Sequence, residues 1–202
     1  MEKRMNPGPD YDGALWGATL AVRRDRHFYA ATGKAPGDML NGLISNSPPP
    51  PLGPEEDGRV KGAVVYAALL TAKGRMITDL RLFREPDGGF LLDLSLAGAG
   101  AAEDHFRKFL PPRLAKVEDR GDEVTLLTML GPEAPTLLAK VGGPLGITFS
   151  SQELEELREG QELVLASAPG SSPRVTRNGD HNCVGWDLIL PSPLAEKLVS
   201  GL

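Results

Sequence analysis

The sequence predicts an α+β fold with antiparallel sheets and flanking helices. Three observations carry that expectation. Tyr66 to Arg84, YAALLTAKGRMITDLRLFR, holds two strand-like stretches joined by a tight turn. Along the rest of the chain, strand hairpins are interspersed with single helices, the pattern of antiparallel sheets rather than of βαβ units. No repeat of 20–50 residues recurs, which sets aside solenoids and propellers.

Each element follows from its residues. Pro7, Gly8 and Pro9 block regular structure, so residues 1–10 are expected to be disordered. Tyr11 to Leu20 predicts a short helix with Leu15, Trp16 and Leu20 on its inner side. His27 to Thr32 reads as a strand, and Lys34 to Ser45 as a helix with Met39, Leu40, Leu43 and Ile44 at helical spacing. Ser47 to Gly58 carries four consecutive prolines and an acidic patch, which predicts an exposed loop of polyproline character. A proline-recognition site is the sharper alternative there, but the flanks show no repeated PxxP register.

The hairpin comes next. Val64 to Thr71 is almost continuously apolar and predicts a largely buried strand. Ala72 to Arg75 supplies the turn, with Gly74 free to take positive φ. Met76 to Phe83 then alternates: Met76, Thr78, Leu80 and Leu82 share one face, and Ile77, Asp79, Arg81 and Phe83 the other. Pro86 to Gly89 turns the chain into a third strand, Phe90 to Ser95, so residues 63–95 should form a three-stranded antiparallel unit.

Beyond it, a helix from Ala99 to Leu110 is stopped by Pro111 and Pro112. Strands are expected near Ala115–Glu118 and Glu123–Leu130, and a helix from Pro132 to Val141 with proline at its start. Glu153 to Glu159 predicts a short acidic helix. Strands near Glu162–Ala166, Arg174–Arg177 and Val184–Leu190 precede a last helix, Pro193 to Leu202.

Composition bounds the function. At 202 residues and 41% hydrophobic content, the chain can bury a real core as one large or two small domains. A net charge of −5 without a basic block argues against a nucleic-acid partner. A single cysteine, Cys183, rules out an internal disulfide and a cysteine-based zinc cluster, and it suits a reducing compartment. The N-terminus lacks a signal-peptide apolar region, and no run approaches 18 apolar residues, so a cytoplasmic chain without a membrane partner is expected.

The residue that draws attention is Asp79, a carboxylate in a strand of apolar neighbours. It reads either as a half-exposed carboxylate paired with Arg81 or Arg75, or as an acid–base group in a semi-apolar pocket. Pattern alone leaves both open.

The same stretch resembles the folate-binding superfamily of glycine-cleavage T-proteins (aminomethyltransferases) and YgfZ-type proteins linked to iron–sulfur enzymes. It is closest to the YgfZ-like hairpin, ALLTPKGR followed by an apolar pair, then DLR and an aromatic. Thr32-Gly33 with Asp38 to Asn46 resembles the TG…FLQGLxTND segment. Val124 to Ala134 is similar to the strand that ends in GP.A and opens a helix. Gly185 to Pro191 resembles the G-aromatic-E-aliphatic-x-x-P strand. The four blocks, in order, cover roughly residues 12–202.

The resemblance implies one folate-binding domain over 11–202, made of two interleaved α+β subdomains with a hairpin unit near 60–119 and the proline-rich loop at 47–58. It implies tetrahydrofolate, or a one-carbon-substituted form, as ligand. Asp79 falls on the aspartate beside the folate's reactive nitrogen, and Tyr66 on a tyrosine whose ring lines the pocket. Asp187 takes the place of the glutamate that hydrogen-bonds the pterin, a role open to aspartate because a carboxylate accepts two parallel N–H bonds. Its plainer reading is an exposed strand carboxylate. Arg177 matches the arginine opening the R-T-G-Y-T-G-E segment.

Here the chain departs from the pattern: Asp180 replaces the tyrosine and Cys183 the glutamate. The lost tyrosine argues against full aminomethyl transfer. His181 and Cys183 are too few for a structural zinc site, so no metal is expected. The C-terminal barrel and the K-G-C-Y-x-G-Q-E motif have no counterpart, which implies a shortened relative or a partner chain that completes the site. Two functions remain: folate binding in one-carbon transfer or iron–sulfur protein maintenance, and a non-catalytic interaction module that keeps the fold.

Overall fold

The computed structural model describes residues 9–165, 172–179 and 183–201. Of the disorder expected over residues 1–10, residues 1–8 lie outside the described residues, as do the strand end at Ala166 and the Asp180 and His181 positions, whereas Pro9 and Asp10 open a helix rather than a disordered segment. The chain opens with helix α1 (Pro9–Trp16), strands β1 (Thr19–Val22) and β2 (Arg26–Thr32), and helix α2 (Pro36–Asn41). Strands β3 (Glu55–Glu56), β4 (Arg59–Leu70), β5 (Met76–Arg84) and β6 (Phe90–Ser95) follow, then helix α3 (Ala99–Phe109). The second half holds β7 (Lys116–Asp119), β8 (Val124–Leu130), α4 (Ala134–Gly142), α5 (Ser151–Glu156), β9 (Gln161–Leu165), β10 (Arg174–Asn178), β11 (Gly185–Pro191) and α6 (Ser192–Ser200).

The strands run in the order β1-β8-β11-β10-β9-β4-β5-β6-β2-β7, with β3 beside β4, and the named pairs are antiparallel. Strand β4 is the hinge of this arrangement. Its first part, Arg59 to Ala63, pairs with β9, while Val64 to Leu70 pairs with β5. The sheet curls there, and its two halves face each other. Phe28, Phe83 and Leu91 from one half meet Leu126 and Ile189 from the other in an apolar plug. Gly62 sits at the curl because a Cβ there would stand 2.7 Å from both Glu162 Oε1 and Leu52 Cδ2.

Helices cover the two outer faces. On the first half, Leu40 of α2 and Phe106 of α3 pack with Leu80, Leu82 and Leu92. On the second, Leu138 of α4, Leu154 of α5 and Leu198 of α6 pack with Leu127, Leu188 and Trp186. Period-2 alternation therefore sends one side of every central strand to a helix layer and the other to the space between the sheet halves.

The three-stranded unit has the expected register, Leu82 opposite Val65 and Leu92, with Gly74 at φ +73° in the turn. Four local expectations need correction. Thr19 to Val22 is strand β1 rather than the end of a helix, because it zips onto the β8 edge. Trp16 is 77% exposed, not inward-facing. The helix expected over Lys34–Ser45 shortens to α2, since Ile44 bridges to Leu69 and its neighbours join the sheet edge. Strand β4 starts five residues earlier than Val64, extended by its pairing with β9.

Candidate functional site

Between the sheet halves, beyond the apolar plug, lies a chain of charges that local sequence does not announce. It starts at Asp79, fourth residue of β5, whose Oδ2 accepts from Arg26 Nη1 at 3.1 Å. Arg26 Nε donates to Asp93 Oδ1 at 2.8 Å, and its Nη2 to the Asp93 carbonyl. On the other oxygen of Asp93, Arg81 Nε donates at 2.7 Å. Arg81 Nη1 then crosses to the opposite sheet half and donates to Asp187 Oδ2 at 2.5 Å. Asp187 Oδ1 takes Thr128 Oγ1 at 2.6 Å and Asn178 Nδ2 at 2.9 Å.

Register explains the geometry. Arg81 is paired with Asp93 across β5–β6, and Asp187 with Thr128 and Thr176 across its own neighbours, so the two rows confront each other. Asp93 is 0% exposed and Asp187 1%, and each meets charged or polar donors as buried carboxylates must. Burial by itself opposes the Arg81 charge, but Asp93 and Asp187 more than offset it and hold the guanidinium's pKa above its ordinary value. Arg26 behaves alike: burial works against it, and Asp93 and then Asp79 raise it.

The sequence-derived candidates separate in this frame. Asp79, Tyr66 and Asp187 face the same inter-sheet layer. Tyr66, on β4, is directly opposite Arg81 and a diagonal neighbour of Asp79, and the residue is 65% exposed. Asp79 is 30% exposed in its side chain, and among the described residues its Oδ1 takes no hydrogen bond. Its partner is Arg26, not the Arg81 or Arg75 weighed from sequence. Asp187 is buried, with three donors. Arg177 points the other way: its guanidinium lies 4.4 Å from the Trp186 ring centroid on the helix-covered face.

Arg26, Asp93, Thr128 and Asn178 were missed from sequence. A signal did exist for Asp93, a lone carboxylate inside FLLDLS, since a charge in an otherwise apolar strand calls for a buried partner. Cys183 is a free, half-buried thiol, and among the described residues no group of three or more His, Cys, Asp or Glu could hold a metal. Among the described residues no helix is long and apolar enough to cross a membrane. Away from Asp79 a cleft is lined by Phe90, Leu91, Val124 and Ile189 together with Glu85 and Arg174.

No protein-family model matches the chain. It is 25% identical over 138 residues to the aminomethyltransferase of Cutibacterium acnes, covering 68% of this chain and 37% of that protein. The chain spans about a third of the length of the curated aminomethyltransferases it matches. Its structure superposes on glycine cleavage system aminomethyltransferase T from Bartonella henselae with a TM-score of 0.68 at 21% identity, over 94% of this chain and 47% of that one. A chain of the heterotetrameric sarcosine oxidase from Corynebacterium sp. U-96 matches with a TM-score of 0.60 at 17% identity, over 95% and 86% of the two chains. The fold is thus a curled antiparallel sheet with flanking helices, shared with glycine cleavage system aminomethyltransferase T. At the level of sequence, the chain is similar to curated aminomethyltransferases, at 22–30% identity over 52–68% of its length.

Proposed function

We propose that this chain is a cytoplasmic, YgfZ-like folate-binding domain that holds a tetrahydrofolate derivative at the rim of the inter-sheet layer, against Asp79 and the ring of Tyr66. It would serve one-carbon transfer or iron–sulfur protein maintenance, and it would not run aminomethyl transfer alone. The observation that carries this reading is Asp79: it is the one carboxylate of the buried charge chain at the rim, and it keeps an oxygen without a hydrogen bond among the described residues. A carboxylate so placed can accept from a ligand N–H or take its proton, a role that typically contributes about 10²–10⁴-fold in rate. Arg26 fixes the carboxylate from behind. Tyr66 offers an exposed aromatic face to a flat ring. Asp187 does not fit a pterin edge while Arg81, Thr128 and Asn178 fill it, so no step is assigned to it.

Calorimetric titration with 5-formyltetrahydrofolate tests this directly. Binding is expected, with Tyr66→Ala losing about tenfold or more through the lost ring contact, which equals about 1.4 kcal/mol. A ligand at ~100 times its dissociation constant should raise stability by about 2.7 kcal/mol. No thermal shift at millimolar folate would sink the reading.

A second reading, a non-catalytic module that docks on a partner chain, is favoured by two observations. The sarcosine oxidase chain that this fold matches over 86% of its length belongs to a heterotetramer. Trp16 at the end of α1, Leu96 just after β6 and Val184 just before β11 are exposed apolar residues.

A further inference from the structure

The cleft lined by Phe90, Leu91, Val124 and Ile189 lies apart from Asp79, and it carries polar atoms that the fold leaves unsatisfied. Thr32, the last residue of β2, and Glu85, the first residue after β5, both line it. Thr32 Oγ1 and Glu85 Oε2 are buried, and among the described residues neither has a hydrogen-bond partner. Buried polar atoms are paired in the great majority of cases, so two orphans on one cleft call for an occupant that brings donors. A hydroxyl oxygen and a carboxylate oxygen can each accept from an N–H.

Charge selects among donors. Arg174 Nη2 donates to Glu85 Oε1 and its Nη1 to Glu162 Oε2 at 3.2 Å, so one guanidinium faces two carboxylates and one negative charge stays unmatched. Asp87 adds a third carboxylate to the lining. The other cation there, Arg120, is already committed to Glu123 at 2.5 Å. Burial holds the Glu85 and Glu162 carboxyls above their ordinary pKa, Asp87 adding to the first and Glu85 to the second. A cation in the cleft relieves this excess, and an anion worsens it. A bare metal ion does not fit, because among the described residues no three His, Cys, Asp or Glu come together to hold one. The apolar walls suit an organic body instead, and the cleft measures about 610 Å³ with its open mouth, the size of a small-molecule site.

We propose that this cleft is a second ligand site, which takes a small organic ammonium ion: its N–H donors meet Glu85 Oε2 and Thr32 Oγ1, and its apolar body lies between Phe90, Leu91, Val124 and Ile189. The carboxyl torsion of a glutamate is broad, so Glu85 can swing its free oxygen to the ligand while Oε1 stays on Arg174. The site stands whether or not folate binds at the Asp79–Tyr66 rim.

Calorimetric titration of the whole chain with benzylamine, at about pH 8 where carboxyls are ionised and the amine keeps its proton, tests this. Saturable binding is expected, with a dissociation constant of about 1 mM or tighter for so small a ligand. Benzyl alcohol and benzoate keep the ring without the cation and should bind at least about tenfold more weakly. Glu85→Gln still accepts from Arg174 but carries no charge, and it should lose about tenfold or more. Thr32→Val removes only the hydroxyl and should lose severalfold; it keeps the test open should Glu85→Gln fail to fold. No binding of benzylamine or of the slimmer butylamine overturns the proposal. So does benzyl alcohol binding as tightly as the amine, or full affinity in Glu85→Gln. Binding lost in Asp79→Asn but kept in Glu85→Gln would put the amine at the rim and overturn it as well.

Discussion

Arg81 and Asp79 sit two residues apart on one strand face, yet their energetic weight differs sharply. Arg81 serves two carboxylates that have almost no contact with water, Asp93 and Asp187. Arg81→Met keeps much of the volume but strands both charges, and breaking a buried pair in this way costs about 3–5 kcal/mol. Asp79 is part-exposed and gives up a single 3.1 Å contact with Arg26. Asp79→Asn should therefore cost under about 1 kcal/mol. Urea midpoints of the two variants check the contrast, and equal losses would show that the charge chain is not organised around Arg81. At this scale the sequence was half legible. Alternation put Asp79, Arg81 and Phe83 on one face, as found. It could not show that Arg81 reaches across 106 positions to Asp187, because that pairing is created by the curl at β4 rather than by anything near either residue.

Elements show where local signals suffice and where they do not. The β4–β5–β6 hairpins were legible because turn chemistry and period-2 alternation agree over the same stretch. Strand β1 was not, because four residues after a short helix carry little periodicity, and the β8 edge decides their conformation. The glycine that lets α1 and β1 reach that edge, Gly131, has φ +107°, and a Cβ there would stand 2.3 Å from Gly17 O and 2.8 Å from Gly13 O. Both obstacles are backbone and cannot rotate aside. Gly131→Ala should destabilise by about 1–3 kcal/mol, lowering the melting temperature by roughly 2–4 °C for each kcal/mol. Gly100 in α3 has nothing within 4 Å of its would-be Cβ. Gly100→Ala should instead stabilise by about 0.5–1 kcal/mol, through helix propensity and a less flexible unfolded chain. Opposite signs in paired thermal melts are the expected result.

For the molecule as a whole, a second ionic cluster ties the sheet halves together at the end away from Asp79. Arg174 on β10 is shared between Glu162 on β9 and Glu85, which follows β5. One guanidinium serves the buried Glu162 and the half-buried Glu85, and among the described residues one oxygen of each, Glu162 Oε1 and Glu85 Oε2, has no hydrogen-bond partner. Burial pushes the Glu162 carboxyl up to about 7, against the pull of Arg174 and with help from Glu85. Glu85 is raised as well, again chiefly by burial. A carboxyl raised in the folded state contributes stability that is fully present below its unfolded value and is lost as pH rises through the folded one. Stability should therefore fall between about pH 4.5 and 7, by at most about 3 kcal/mol from Glu162. Four groups pull the other way, Glu118 and Glu153 among them, both held below the ordinary carboxylate value. Burial holds the His105 imidazole below its ordinary value, and Asp25, kept down to about 2 by its hydrogen bond from Arg23, loses its contribution in acid. The discriminating quantity is therefore the difference between the unaltered chain and Glu162→Gln, in which those terms cancel. That difference should grow in the variant's favour from pH 5 to pH 7.5 in urea titrations, because the amide keeps its place beside Arg174 without ever ionising. A difference that stays flat would mean that Glu162 ionises alike in the folded and unfolded chain, and the two sheet halves would then owe nothing at this end to a shared proton.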